Sequence, residues 1–231
     1  MPVVTVTGPT GAGGRDIGRE IAGHLGIDYV DRGLLVDAAR RLGVSVAAVA
    51  ERDERTVTFG ERLASLMRSF LERSAVAGVG DPFLGPSGLE VLLSRSYGDW
   101  AMEREEQPVD QTRYLRVVTA LIKELGERGE IVILGRGSQV VLKDLPGAFH
   151  LMVWGSPERC IDSLARRESL EREEASRLFH ETERGRLDFH RKFFRVDAND
   201  PRLYHLILNT DKLSIEAAAR IAAQAVQAQM G

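Results

Sequence analysis

Four glycines crowd into the eight residues Gly8-Pro9-Thr10-Gly11-Ala12-Gly13-Gly14-Arg15, directly behind the β-branched run Val3-Val4-Thr5-Val6-Thr7. A glycine-rich turn between a strand and a helix wraps backbone N–H groups around an anion, and the helix N-terminus adds partial positive charge. Phosphate is the ligand that suits such a turn. Gly8 and Gly13 have the spacing of the phosphate-loop pattern G-x-x-x-x-G-K-[ST], but Gly14 stands in the place of Lys and Arg15 in the place of Ser or Thr. The backbone cradle of Gly8, Thr10, Gly11, Ala12, Gly13, Gly14 and Arg15 is kept while two side-chain groups are replaced. Arg15 brings a permanent charge and a forked donor set that partly substitutes for Lys. It cannot bring a hydroxyl to Mg²⁺.

Other residues offer competing or supporting chemistry. Gly11 and Gly13 also give G-x-G, with Asp31 near the place of a ribose-binding acid, but the dinucleotide fingerprint wants a third glycine where Asp16 puts a carboxylate. Gly135-Arg136-Gly137-Ser138 follows Glu130–Leu134, which reads as a buried-type strand, so Arg136 sits at the carboxyl end of a strand, where ligands bind in open α/β sheets. It reads equally as a phosphate contact or a solvated arginine. Arg184, Asp188 and Arg191, at spacings of four and three, fall on one helical face. Around them, ion pairs along a charged helix account for most of the basic residues between Arg159 and Arg195. Phe179, Phe189, Phe193 and Phe194 read as core anchors. The five histidines lack metal-ligand spacing, and the single cysteine, Cys160, excludes an intrachain disulfide and a cysteine-based zinc site.

The elements that must position these groups alternate. Helical spacing of Ile17, Ile21, Ala22 and Leu25 predicts a helix over 15–25 whose N-terminus points at the glycines. Ile27–Val30 reads as a short strand, and Asp31-Arg32-Gly33 opens a helix over 32–42. Helices are expected at 45–52, 58–74, 87–105 and 110–128, with a loop at 76–88. Strands at 130–134, 149–153 and 205–208 then alternate with helices, among them one that Ser156 caps with Pro157 at its first position, a charged one within 170–195, and a C-terminal one capped by Ser214. Short apolar strands separated by helices predict a parallel sheet of about five strands covered on both faces. The long strand-free stretch 45–128 reads as a helical insertion.

Length and composition set outer bounds. A chain of 231 residues suits one α/β domain with an insertion or lid. With 43% hydrophobic and 28% charged residues the whole chain is not disordered. A net charge of −3 gives no global drive toward nucleic acid or an anionic membrane, so an anionic ligand must be held locally. The chain opens on a strand rather than a basic-apolar signal and holds no long apolar run, so a cytoplasmic protein is expected.

Four separated pieces resemble one family. The turn Gly11-Ala12-Gly13-Gly14-Arg15-Asp16-Ile17, the segment Tyr29-Val30-Asp31-Arg32-Gly33-Leu34-Leu35, the turn Gly135-Arg136-Gly137-Ser138 and the stretch Arg184-Gly185-Arg186-Leu187-Asp188-Phe189-His190-Arg191 are similar to cytidylate kinase-like proteins of the P-loop nucleoside monophosphate kinase superfamily. The tail from Leu206 to Asp211 also looks like that subfamily's last strand. The resemblance implies a three-layer α/β/α P-loop kinase domain over 1–231, with 45–128 as acceptor-side subdomain and 170–195 as lid. It implies phosphoryl transfer from ATP, with Mg²⁺, to a nucleoside monophosphate, CMP or dCMP before others. Arg15, Arg184 and Arg186 would then neutralise the transferred group, while Asp31, Arg136, Asp188 and Arg191 would hold the acceptor. No nucleic-acid or membrane partner is implied, and a homodimer is left open. Gly14 and Arg15 depart from the true kinases, as do Gly137 and Gly185 where acids are usual. The rival reading is a catalytically weak nucleotide-binding sensor; a dinucleotide-dependent oxidoreductase is a third.

Overall fold

All five residues of Val3–Thr7 (β1) are buried, so both faces of the strand are covered, which is why this segment is apolar and β-branched without alternation. The computed structural model describes residues 1–42, 59–76, 86–94, 96–97 and 108–231. They form two compact units, Met1–Val30 with Ser96–Gly231, and Asp31–Arg95.

The first unit holds the sheet. Besides β1, its strands are Asp28–Val30 (β2), Ile131–Leu134 (β3), Ala148–Trp154 (β4) and Leu206–Asn209 (β5). The order is β2-β3-β1-β4-β5, and every pairing is parallel. Val3 of the central strand faces Ile131 on one side and Ala148 on the other. The chain therefore leaves the middle of the sheet at its carboxyl edge, with the ends of β3 and β4 on either side, the position where open α/β sheets take ligands.

The described helices are Gly14–Leu25 (α1), Arg32–Leu42 (α2), Phe59–Val76 (α3), Pro86–Ser94 (α4), Pro108–Arg128 (α5), Ser138–Val141 (α6), Pro157–Glu168 (α7), Arg172–Phe189 (α8) and Ile215–Met230 (α9). A π-type turn, His190–Phe194, continues α8, and Pro201–Leu203 is a 3-10 turn. Ile17 and Ile21 of α1 and Ala218, Ala219 and Ala222 of α9 are fully buried in one cluster with β1 and β4. The small alanines let the last helix approach closely, and Ser214 caps it by accepting the Ala217 N–H at 3.2 Å.

The second unit packs α2, α3 and α4 through Leu35, Ala39, Leu63, Met67, Leu89 and Leu93. Arg32 Nη1 donates to the Ser94 carbonyl at 2.8 Å, placing a cation on the end of α4. The loop expected at 76–88 differs at its ends: Val76 closes α3, and Pro86 begins α4. Proline fits the first turn of a helix because its missing N–H is not needed there. The helix expected at 45–52 lies outside the described residues, as does 98–105 of the one expected at 87–105.

A polar contact crosses the sheet interior. Thr5 Oγ lies 2.8 Å from His150 Nδ1, and the His150 N–H donates to His205 Nδ1 at 2.9 Å. Burial, and then the neighbouring His205 ring, hold His150 down at about 4, below its ordinary 6.5. Between these two values the folded protein binds fewer protons than the unfolded chain, so stability is fully present above pH 6.5 and falls as pH drops toward 4. Melting temperature measured across that window should decline with acid, and His150→Gln should flatten part of the decline; an unchanged slope in the variant would assign the acid sensitivity elsewhere.

Candidate functional site

The turn after β1 runs into α1 with Gly13 as N-cap, at φ 92° and with no side chain capping the helix. The amides of the first helical turn are thereby left for a ligand. Gly11 has φ 91°, and a Cβ there would stand 2.3 Å from the Cys160 carbonyl oxygen and 2.9 Å from its Cα. The loop thus lies directly against the backbone of the first turn of α7. A Cβ on Gly13 would stand 2.5 Å from Ile215 Cδ1 of α9. Gly14 is different. Its added Cβ would meet only Leu134 at 3.5 Å and Val6 at 3.7 Å, ordinary contact distances. Backbone contact requires glycine at 11 and the left-handed φ favours it at 13, whereas at 14 a Cβ meets only ordinary contacts.

Polar contacts fix the loop from the β5 side. The buried Thr210 hydroxyl lies 3.0 Å from both the Ala12 and the Trp154 carbonyl oxygens. Asp211 accepts the Ser156 N–H at 3.0 Å and the Ser156 hydroxyl at 3.2 Å. Ser156 therefore occupies the cap position of α7, but its hydroxyl serves Asp211 instead of the helix. Cys160 is buried beneath, its thiol pushed up to about 12 by burial and then by Asp211, so it packs as a neutral small hydrophobe. Sequence reasoning noticed the segment 209–211 without seeing that it pins the loop.

The turn after β3 sits beside this loop. Val6 faces Leu134 across the sheet, and the Gly135 N–H donates to the Val6 carbonyl at 2.9 Å. Gly135, Arg136 and Gly137 have φ of 79°, 60° and 71°, three consecutive left-handed residues. Arg136 is buried rather than solvated: its N–H donates to the Tyr97 hydroxyl at 2.7 Å, and its guanidinium donates to the Tyr114 hydroxyl while lying 5.6 Å from that ring's centre. Tyr97 and Tyr114 were missed because they lie 39 and 22 residues from Arg136, with no local pattern linking them.

The end of α8 packs onto the same turn. Phe189 meets Tyr97 edge-on at 5.4 Å, and the Phe194 ring closes over Gly137, where a Cβ would stand 2.3 Å away. Phe189 is an anchor as expected, at the centre of contacts with Tyr97, Tyr114, Phe193 and Phe194. Gln139 of α6 lies 2.9 Å from His190 Nε2, while His190 Nδ1 lies 2.7 Å from the Arg186 carbonyl oxygen. Burial holds His190 down at about 4, against the opposing hydrogen bond to Arg186. It is neutral in the folded protein.

The three basic residues of this segment part ways. Arg184 is exposed, and Arg191 is exposed in an ion pair with Asp188 at 3.2 Å. Arg186 points inward: it is 1% exposed and gives Nε and Nη2 to Glu183 at 2.8 and 2.7 Å and Nη2 to Asn199 at 2.6 Å. Its geometry is that of an internal tie rather than the expected cation on a transferred group. Asp31 belongs to the second unit, where it is buried and accepts the Leu34 N–H at 3.0 Å, capping α2. Arg15 is exposed at the start of α1.

The model of the cytidylate kinase-like family matches residues 3–212. Among solved structures, an uncharacterized protein from Eubacterium ventriosum ATCC 27560 superposes with a TM-score of 0.60 at 14% identity, covering 98% of this chain and 99% of that one. A shikimate kinase from Acinetobacter baumannii in complex with shikimate gives a TM-score of 0.47 at 14% identity, over 99% of this chain and 94% of that one. Comparison with the curated proteins finds no match.

Two stability contrasts test this geometry. Gly11→Ala should cost well over the ~1–2 kcal/mol of a left-handed residue, because the backbone contact adds to the strain, whereas Gly14→Ala should be neutral or stabilising by up to about 1 kcal/mol. Denaturant unfolding of the two variants checks this, and equal losses would overturn the assignment. Arg186→Met should lose about 3–5 kcal/mol by leaving Glu183 unpaired in a mostly buried setting, and the double variant Arg186→Met, Glu183→Leu should recover part of it.

Proposed function

Because this chain belongs to the cytidylate kinase-like family, we propose that it is a cytoplasmic enzyme transferring a phosphoryl group from ATP to a nucleoside monophosphate, CMP or dCMP before others. Family membership supports kinase chemistry on a nucleotide or small-molecule substrate. The observation that carries the reading further is the uncapped, glycine-bounded N-terminus of α1 at the carboxyl edge of the central strand.

ATP supplies the phosphoryl group when bound, and the Gly8–Arg15 backbone fits its phosphates. Arg15 and Arg184, both exposed, are assigned to meet charge on the transferred group. Arg191 with Asp188, and Arg136 from its tyrosine-held turn, are assigned to the acceptor. Asp31, which caps α2, and Asp188 are assigned to orienting the acceptor's sugar or base. The helical stretch within 45–128 serves as the acceptor side and 170–195 as the lid. An acceptor phosphate already carries an anionic oxygen, so positioning and charge neutralisation suffice without a general base.

Magnesium fits less well. Arg15 removes the hydroxyl that would meet the ion, and among the described residues no three His, Cys, Asp or Glu side chains converge to hold a metal. No residue of this chain is assigned to it. The same substitutions favour a second reading, a nucleotide-binding sensor.

Purified protein with Mg-ATP should convert CMP or dCMP to the diphosphate, followed by chromatography of the products. Arg184→Ala should lower kcat on the order of a hundredfold with little change in KM, as expected of a charge needed most in the transition state. Wild type that binds ATP yet phosphorylates none of CMP, dCMP, UMP and AMP would leave the sensor reading standing.

A further inference from the structure

The Tyr97 hydroxyl lies directly over the turn after β3. It accepts the Arg136 N–H at 2.7 Å and would stand 3.5 Å from a Cβ on Gly135. That turn is fastened to the central strand, because the Gly135 N–H donates to the carbonyl of Val6, two residues ahead of Gly8, at 2.9 Å. The hydroxyl is thereby held at the carboxyl edge of the sheet, on the β3 side of the phosphate loop. A phenol that accepts an N–H still has its own proton to give, and among the described residues no acceptor meets the proton of Tyr97. The edge-on Phe189 ring at 5.4 Å keeps the phenol in place. Burial raises the Tyr97 pKa, so the proton is present, while the guanidinium groups of Arg136 and Arg186 oppose that rise. Arg186 Nη1 is itself buried without a partner. A hydroxyl polarised by an N–H donor and by two nearby cations is a strengthened donor.

We infer that Tyr97 is a ligand-binding residue whose O–H donates to a phosphate oxygen of the acceptor, beside Arg136. The ligand class is a phosphate monoester, here the nucleoside monophosphate. The inference rests on the assignment of Arg136 to the acceptor. A hydroxyl with a purely structural task is finished once it accepts the Arg136 N–H; the unspent proton is what points to a ligand. It also gives the left-handed Arg136, at φ 60°, a purpose beyond its side chain, since that conformation turns the N–H that fixes and polarises the phenol.

The test titrates wild type, Tyr97→Phe, Arg136→Gly and the double variant with CMP, dCMP, UMP and AMP by NMR up to millimolar ligand, with the matching nucleosides and ATP as controls and melting temperatures alongside. Glycine suits the left-handed φ at 136, so Arg136→Gly keeps the turn while removing the guanidinium. Tyr97→Phe should weaken the monophosphate that wild type binds best about tenfold, as for a lost charge-assisted hydrogen bond, and leave its nucleoside and ATP within about twofold. It should lower the melting temperature by no more than about 2–4 °C. The loss should persist when Tyr97→Phe is added to Arg136→Gly. Unchanged monophosphate affinity in Tyr97→Phe overturns the inference, while a loss in Arg136→Gly keeps the acceptor reading. A loss that the nucleoside shares, or that disappears in the Arg136→Gly background, overturns it too, making Tyr97 a support of the turn alone. Wild type that binds none of the monophosphates overturns both.

Discussion

The bare Cα of Gly11 is the constraint on which the rest of the site depends. It lets the loop after β1 lie on the Cys160 backbone with no room for a side chain between them. That contact sets the distance between α7 and the central strand's exit. Thr210 and Asp211 then bind the ends of β4 and β5 and the start of α7 into the same frame. The outcome is a helix N-terminus held open by neighbours that spend their own polar groups on one another. Such preorganisation is what an anion site needs, because donors that are already fixed do not reorganise when charge arrives.

Much of this was legible along the chain because it is local. The strand, turn and helix of 3–25 are consecutive, and the glycine spacing states the backbone geometry directly. The five-strand parallel sheet followed from short apolar strands separated by helices, and each predicted strand lies within a residue or two of its observed bounds. Side-chain fate was less legible. Arg186 has a carboxylate three residues before it, the spacing of an ordinary helix pair, yet it is completed by Asn199, thirteen residues away beyond the π turn. Nothing in the local pattern says that Arg186 turns inward while Arg184 stays outside. Arg136 likewise takes its tyrosine partners from 39 and 22 residues earlier, a separation that no local pattern spans.

Substitutions at the loop divide into those that packing forces and those that it permits. Gly11 answers to a backbone contact and Gly13 to its left-handed φ, both demands of the fold itself. Gly14 answers to neither, and Arg15 lies exposed beside it. Contact at the Cβ therefore does not by itself account for the missing lysine.

The end of α8 is tied to α6 by a neutral histidine. His190 Nδ1 donates its proton to the Arg186 carbonyl, which leaves Nε2 as the acceptor for the Gln139 amide. The amide orientation is thereby set, and Gln139 Oε1, Arg186 Nη1 and the Ser138 hydroxyl are left buried without a partner. These contacts join α8, which carries Arg184 and Asp188, to α6, directly after the turn that carries Arg136. Protonating His190 would put a second cation beside Arg186 and remove the acceptor that Gln139 uses. The contact between the end of α8 and α6 therefore holds only while that imidazole stays neutral, and its burial is what keeps it so.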